Sequence, residues 1–148
     1  MDHDNLSTLY RQAILEAGED PHNFGDLLRP TVSTELHNPT CGDVIILQLK
    51  ISDHIIKDIK FKGQGCIISQ ASASIMTDLV KGKSLDQAKK LRITFSQMIT
   101  DNHFIDNDKL KDALIFKGVR KFPQRIKCAT LVWNALEKSI QHVEEANG

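Results

Sequence analysis

Residues 44–61 read VIILQLKISDHIIKDIKF. Two β-branched runs, Val44 to Ile51 and Ile55 to Phe61, are broken only by Ser52–Asp53. Such residues suit a pleated, half-buried surface, and a short polar break between two runs marks a hairpin. Upstream, Val32, Thr34 and Leu36 lie two apart, which is the strand period. These segments predict a small antiparallel three-stranded sheet.

After Gly63–Gln64–Gly65 the rhythm turns helical. Ile68, Ala71, Ile75 and Leu79 form a stripe that Lys81–Gly82 ends. Ser84 and Gln87 have capping-box spacing, and Ala88, Leu91, Phe95 and Met98 follow on one face. Asp101 to Asp108 reads as a polar connection, and Leu110, Ala113 and Leu114 suggest a short helix. Pro123 suits a first helical position, followed by Ile126, Ala129, Trp133, Leu136, Ile140 and Val143 at helical spacing. At the other end, Leu6, Leu9, Ala13 and Ala17 share a helical face, with Asp4 or Asn5 as cap and Gly18 as stop. Glu19 to Pro30 is rich in turn formers and reads as irregular. Strands before helices indicate an α+β fold, the sheet packed against helices on one face.

The chain has 148 residues, a length suited to one domain, expected over 1–148. Nineteen basic and nineteen acidic residues cancel. No bulk field therefore draws the chain to nucleic acid or to an anionic membrane, and neither partner is expected. The longest apolar run, Val44 to Leu47, is far too short to cross a bilayer, and the first ten residues lack the basic and apolar regions of a signal peptide. A cytoplasmic location is expected, where thiols stay reduced. Three cysteines, an odd number, then indicate buried thiols, a reactive thiol or metal ligands rather than disulfides.

Each cysteine has a suggestive setting. Cys41 lies in Asn38–Pro39–Thr40–Cys41–Gly42–Asp43, a turn feeding a strand. An extended chain there would point Cys41 and Asp43 to the same side. The alternative is a plain turn with a buried thiol and a capping carboxylate. Cys66 follows a glycine turn at a helix start, where the helix dipole favours a thiolate; a tight corner with a packed thiol is the alternative. No Lys–Ser or Lys–Thr pair follows those glycines, so they do not make a nucleotide-phosphate loop. Arg125 and Cys128 share a helical face, with Cys128 expected at the edge of the apolar stripe and Arg125 either beside it or simply solvated. The intervals between the cysteines match no zinc-finger spacing. Three thiolates and one carboxylate would complete a tetrahedral zinc site, though soft sulfur also suits iron–sulfur clusters. Of the histidines, only His37 lies close to a candidate ligand, as a spare donor or a surface side chain. Lys117, Arg120, Lys121, Arg125 and Lys127 form a basic run around Phe122–Pro123 that could receive an acidic partner.

Together, these pieces resemble the iron–sulfur cluster assembly family of IscU and NifU-N-like proteins. The resemblance rests on Asn38 to Asp43, Gly63 to Cys66 with Ser69 and Ala71 to Ser74, Lys81–Gly82–Lys83, and Lys121 to Ala129, and it runs from about the first helix to about Glu137. Within the family the chain looks most like the SufU branch. The segment from Gly82 to Cys128 is long, and Lys127 stands where IscU-type scaffolds carry a histidine. The resemblance implies a zinc-dependent sulfur acceptor, a sulfurtransferase, working with a SufS-type cysteine desulfurase and passing sulfur to downstream iron–sulfur assembly proteins. It implies Cys41, Asp43, Cys66 and Cys128 as zinc ligands, Cys41 as the acceptor and Arg125 as a supporting residue. The rival readings are a scaffold building a [2Fe–2S] cluster on the same cysteines and a structural zinc module without catalysis.

Overall fold

The structure, a computed structural model, describes residues 2–101, 103–104 and 108–147, with side chains from Tyr10 onward. Strands β1 (Val32–Asn38), β2 (Asp43–Ser52) and β3 (Ile55–Gln64) form an antiparallel meander in the order β1-β2-β3. The hairpin turn falls one residue later than the sequence suggests, because Ser52 still pairs with Ile55. Asp53 and His54 form it, both at positive φ, 55° and 61°. Two such residues match the strands' right-handed twist.

Alternation along β2 buries Ile45, Leu47 and Leu49 on one face. On β3, Ile56 and Ile59 are both buried although they lie three positions apart, which breaks the period of two. A register shift explains this: Ile51 pairs with Ile56 and Lys50 with Asp58, so Lys57 is an extra residue. The bulge re-phases the strand and turns both isoleucines inward.

Helices α2 (Ile67–Val80) and α4 (Pro123–Asn147) cover the inner face, with α1 (Asp2–Glu19), α3 (Leu85–Thr100) and a 3-10 stretch, Asp108–Lys121, packed around them. The expected α+β arrangement is therefore present. The Ser84–Gln87 capping box forms in both directions, at 3.1 and 2.9 Å. In α2 the expected stripe is only part of the buried surface. Ser69, Ser72, Ser74 and Thr77 are buried too, because small side chains let the sheet, α1 and α4 approach from several sides. Across the core, Trp133 stacks on Phe95 at 4.4 Å and donates to Ser72 Oγ, which in turn donates to the Ala129 carbonyl.

Three sequence expectations are corrected. Gly18 lies inside α1; a Cβ there would meet the Ile67 carbonyl at 2.7 Å, so the glycine permits close packing onto the start of α2 rather than ending the helix. Asp4 and Asn5 lie within α1, not at its start. The short helix is a longer 3-10 stretch, kinked at Lys111 (φ 46°). The side chains of Leu6 and Leu9, and Asn102 and 105–107 of the polar connection, fall outside the described residues. No helix among the described residues is long and apolar enough to cross a membrane.

The irregular segment after α1 runs along the edge of β3, where Phe61 donates to the Asn23 carbonyl and accepts from the Gly25 amide. Next to it, His22 pairs with Asp78 on α2. That hydrogen bond, then the attraction of the same carboxylate, raises the imidazole above its ordinary value. The resulting local stability is present below the ordinary imidazole range and is lost as pH rises through the raised value. A proton NMR titration should place the His22 midpoint above about 6.5, and Asp78→Asn should bring it down. A wild-type midpoint at or below the ordinary value would contradict this contact.

Candidate metal centre

Asp43 has the same phase on β2 as Ile45, Leu47 and Leu49, so strand alternation drives a carboxylate to the inner face, where it is 1 % exposed. Its partner across the hairpin is Asn38, also inward and 5 % exposed. Between them the four-residue turn Pro39–Gly42 carries Cys41, closed by a hydrogen bond from the Cys41 amide to the Asn38 carbonyl, with Gly42 at φ 72°. Strand parity thus accounts for Asp43 but not for Cys41, which sits on a turn that folds back. The Cys41 sulfur reaches within 3.1 Å of Cys128 Sγ. That is well beyond the ~2.05 Å of a disulfide, and all three cysteines are free thiols.

Cys66 is the N-cap of α2, in extended conformation, and its amide donates to Asp43 Oδ1 at 2.9 Å. The approach is close. A Cβ on Gly65 would lie 2.4 Å from Asp43 Oδ1 and 2.5 Å from Ser69 Oγ. Two residues earlier, Gly63 on β3 (φ 134°) crosses so near β2 that a Cβ would meet the Val44 carbonyl at 1.9 Å. Two glycines therefore let the end of β3 deliver Cys66 against the carboxylate. Ser69 Oγ donates to the Cys66 carbonyl at 2.9 Å and steadies the corner.

Cys128, near the start of α4, is fully buried rather than at the edge of a stripe. The stripe argument counts one covered face, whereas α4 is covered by the sheet, α2 and α3. Burial is the main cause that pushes the Cys128 thiol far above its usual range, followed by hydrogen bonds with Cys41 and Cys66. Arg125 is exposed, and its guanidinium lies beside Cys128 and Cys66, which hold it still more firmly protonated.

The donor atoms of Cys41, Asp43 and Cys128 all lie within 4.8 Å of one another. Cys66 is outside that trio but close enough for its thiol to help raise that of Cys128. Among the described residues, Asp43 receives hydrogen bonds from Asn38 and Cys66 and makes no ion pair. A buried carboxylate is costly unless it is paired or coordinates a metal. Two soft thiols and one carboxylate at this spacing, with the Cys66 thiol close by as a candidate fourth donor, suit zinc, which takes four such ligands and deprotonates thiols. His37 does not join the group. It faces outward and pairs with Glu35 at 2.7 Å, because it has the opposite strand parity to Asn38. Asn38, Gly65 and Ser69 are the residues that sequence reasoning left without a role at the site. Asn38 was legible by parity, six residues after Val32 on the same strand face.

The chain is similar to known proteins over most of its length. The family described as NifU-like N terminal domain matches residues 9–129. The chain is 46 % identical over 143 residues to the zinc-dependent sulfurtransferase SufU of Bacillus subtilis, covering 97 % of each. It is 43 % identical to the iron–sulfur cluster assembly scaffold protein IscU of Streptococcus pyogenes, covering 96 % of this chain and 92 % of that one. Among solved structures it resembles a putative iron–sulfur cluster assembly scaffold protein for the SUF system from Fervidobacterium islandicum, with a TM-score of 0.83, 29 % identity and coverage of 87 % and 94 %.

Gly65→Ala should leave the far-ultraviolet dichroism unchanged yet weaken zinc binding by about tenfold or more, because the added methyl displaces the Asp43 carboxylate. Competition with a chromogenic chelator measures this. Wild-type zinc affinity in that variant would contradict the placement of Asp43.

Proposed function

The chain belongs to the family of NifU-like N-terminal domains, and from that footing we propose that it is a zinc-dependent sulfur acceptor for iron–sulfur cluster assembly. It takes persulfide sulfur from a cysteine desulfurase of the SufS type. The reading is supported by the SufU relative's name and by the grouping of the Cys41 and Cys128 sulfurs with the Asp43 carboxylate, Cys66 lying next to them. In this reading Cys41, Asp43, Cys66 and Cys128 hold the metal, and bound zinc keeps the thiols as thiolates at neutral pH.

One observation carries the choice of acceptor. Cys41 sits on a turn and is half-buried, whereas Asp43 and Cys128 are buried in β2 and α4 and Cys66 is tied into the start of α2. Cys41 can therefore move with the least disturbance to the core. Its thiolate attacks the outer sulfur of the desulfurase persulfide. A new sulfur–sulfur bond forms on Cys41, the old one breaks, and the electron pair leaves on the desulfurase cysteine. Arg125 contributes charge. Three thiolates and a carboxylate outweigh a dication by two, and a guanidinium close to Cys128 and Cys66 offsets part of the excess. The exposed Phe122 and the basic residues around it border the Cys41 turn, since Cys41 Sγ lies 3.9 Å from the Gln124 carbonyl. This rim is where the desulfurase docks.

A scaffold reading draws on the same soft donors and on the streptococcal relative's name. The exposed Lys127 offers no imidazole to such a cluster. Anaerobic reconstitution separates the two: a stable cluster that passes intact to an apo-protein would favour the scaffold.

Cys41→Ala should keep the fold, read from its dichroism and melting, and abolish uptake of radiolabelled sulfur from the desulfurase. Asp43→Ala should lower zinc affinity and sulfur transfer together. Transfer at the wild-type rate by the Cys41→Ala protein would refute the acceptor assignment.

A further inference from the structure

Beyond the four donors, one buried side chain touches two of them. Asn38 Nδ2 lies 3.3 Å from Asp43 Oδ2 and 3.8 Å from Cys128 Sγ. A primary amide carries two hydrogens, so one group can serve both acceptors at once. These acceptors come from β2 and α4, elements separated by most of the chain. Asn38 lies directly opposite Asp43 in the β1–β2 ladder and is 5 % exposed, so its side chain is confined by the sheet and the helices. Asp43 is thereby gripped from both sides: Oδ1 accepts from the Cys66 amide and Oδ2 from Asn38.

We propose that Asn38 is a positioning residue of the metal centre, fixing the rotation of the Asp43 carboxylate and bridging it to the Cys128 sulfur. Groups that orient ligands set metal affinity nearly as strongly as the ligands do, because a freely rotating ligand must be ordered on binding. The amide also donates to a sulfur that carries negative charge when metal is bound, where such a hydrogen bond is stronger than in the neutral state. The inference rests on the zinc reading above and assigns a role to a side chain that is not itself a ligand.

The test uses the full-length protein with zinc alone as the probe. Asn38→Ala and Asn38→Ser should weaken zinc by about 10–100-fold in chelator competition, with Asn38→Ser, which keeps one donor, the milder. The sulfur-to-cobalt charge-transfer band of the cobalt(II)-substituted variants should shift, whereas a merely structural role would leave it in place. His37→Ala, one residue away but facing outward, should match wild type in both respects. In the unmodified protein, the Asn38 side-chain amide signals in nitrogen–proton NMR should move strongly when zinc is removed, a measurement that does not depend on any variant folding. Variants that bind zinc as wild type does, or amide signals indifferent to zinc, would overturn the role of Asn38 alone. A wild-type protein that fails to bind zinc tightly would instead overturn the functional reading on which it rests.

Discussion

The structure turns on one buried carboxylate. Asp43 is the first residue of β2 and has the phase of Ile45, Leu47 and Leu49, so the pleat that builds the core also forces an acid into its end. Burying that acid without compensation would cost several kcal/mol. The surroundings compensate locally: an amide from the cap of α2, a side-chain amide from β1, and thiols that can share a cation. The glycine at position 65 and the glycine at position 63 follow from the same requirement, because no larger residue would let the end of β3 pass the acid and the neighbouring strand. The site is thus a consequence of how a hairpin end, a helix start and a second helix meet.

That meeting point also divides the donors by how deeply the fold embeds them. Two are set in regular structure and lie out of water, one caps a helix, and one rides on a turn. The electrostatics follow the same order. Burial penalises charge at Cys128 most directly, and the protein answers with a guanidinium at the surface and the positive end of α2 close by. A cluster that is unfavourable without a cation and favourable with one has the character of a metal site, and Cys41 is its one thiol outside regular structure.

Much of this was legible in the sequence, for identifiable reasons. The two β-branched runs, the capping box at Ser84 and the proline at the start of α4 are local signals that tertiary packing did not override. The cysteine settings were also local: a turn, a helix start, an arginine three residues away. What escaped depended on contacts between distant segments. Gly18 reads as a stop until Ile67 is seen beside it. Cys128 reads as marginal until α4 is seen covered on more than one side. The bulge at Lys57 leaves only the odd spacing of Ile56 and Ile59 as a trace. Asn38 was within reach, since strand parity alone places it beside Asp43, but an asparagine before a proline looks like turn chemistry and draws no further attention.

In the proposed centre three sulfurs and one carboxylate would surround a single zinc ion. Zinc-edge X-ray absorption on the native protein tests it most directly. The expected shell is three sulfurs at about 2.3 Å and one oxygen at about 2.0–2.2 Å. A shell containing imidazole nitrogen, or fewer than three sulfurs, would contradict it.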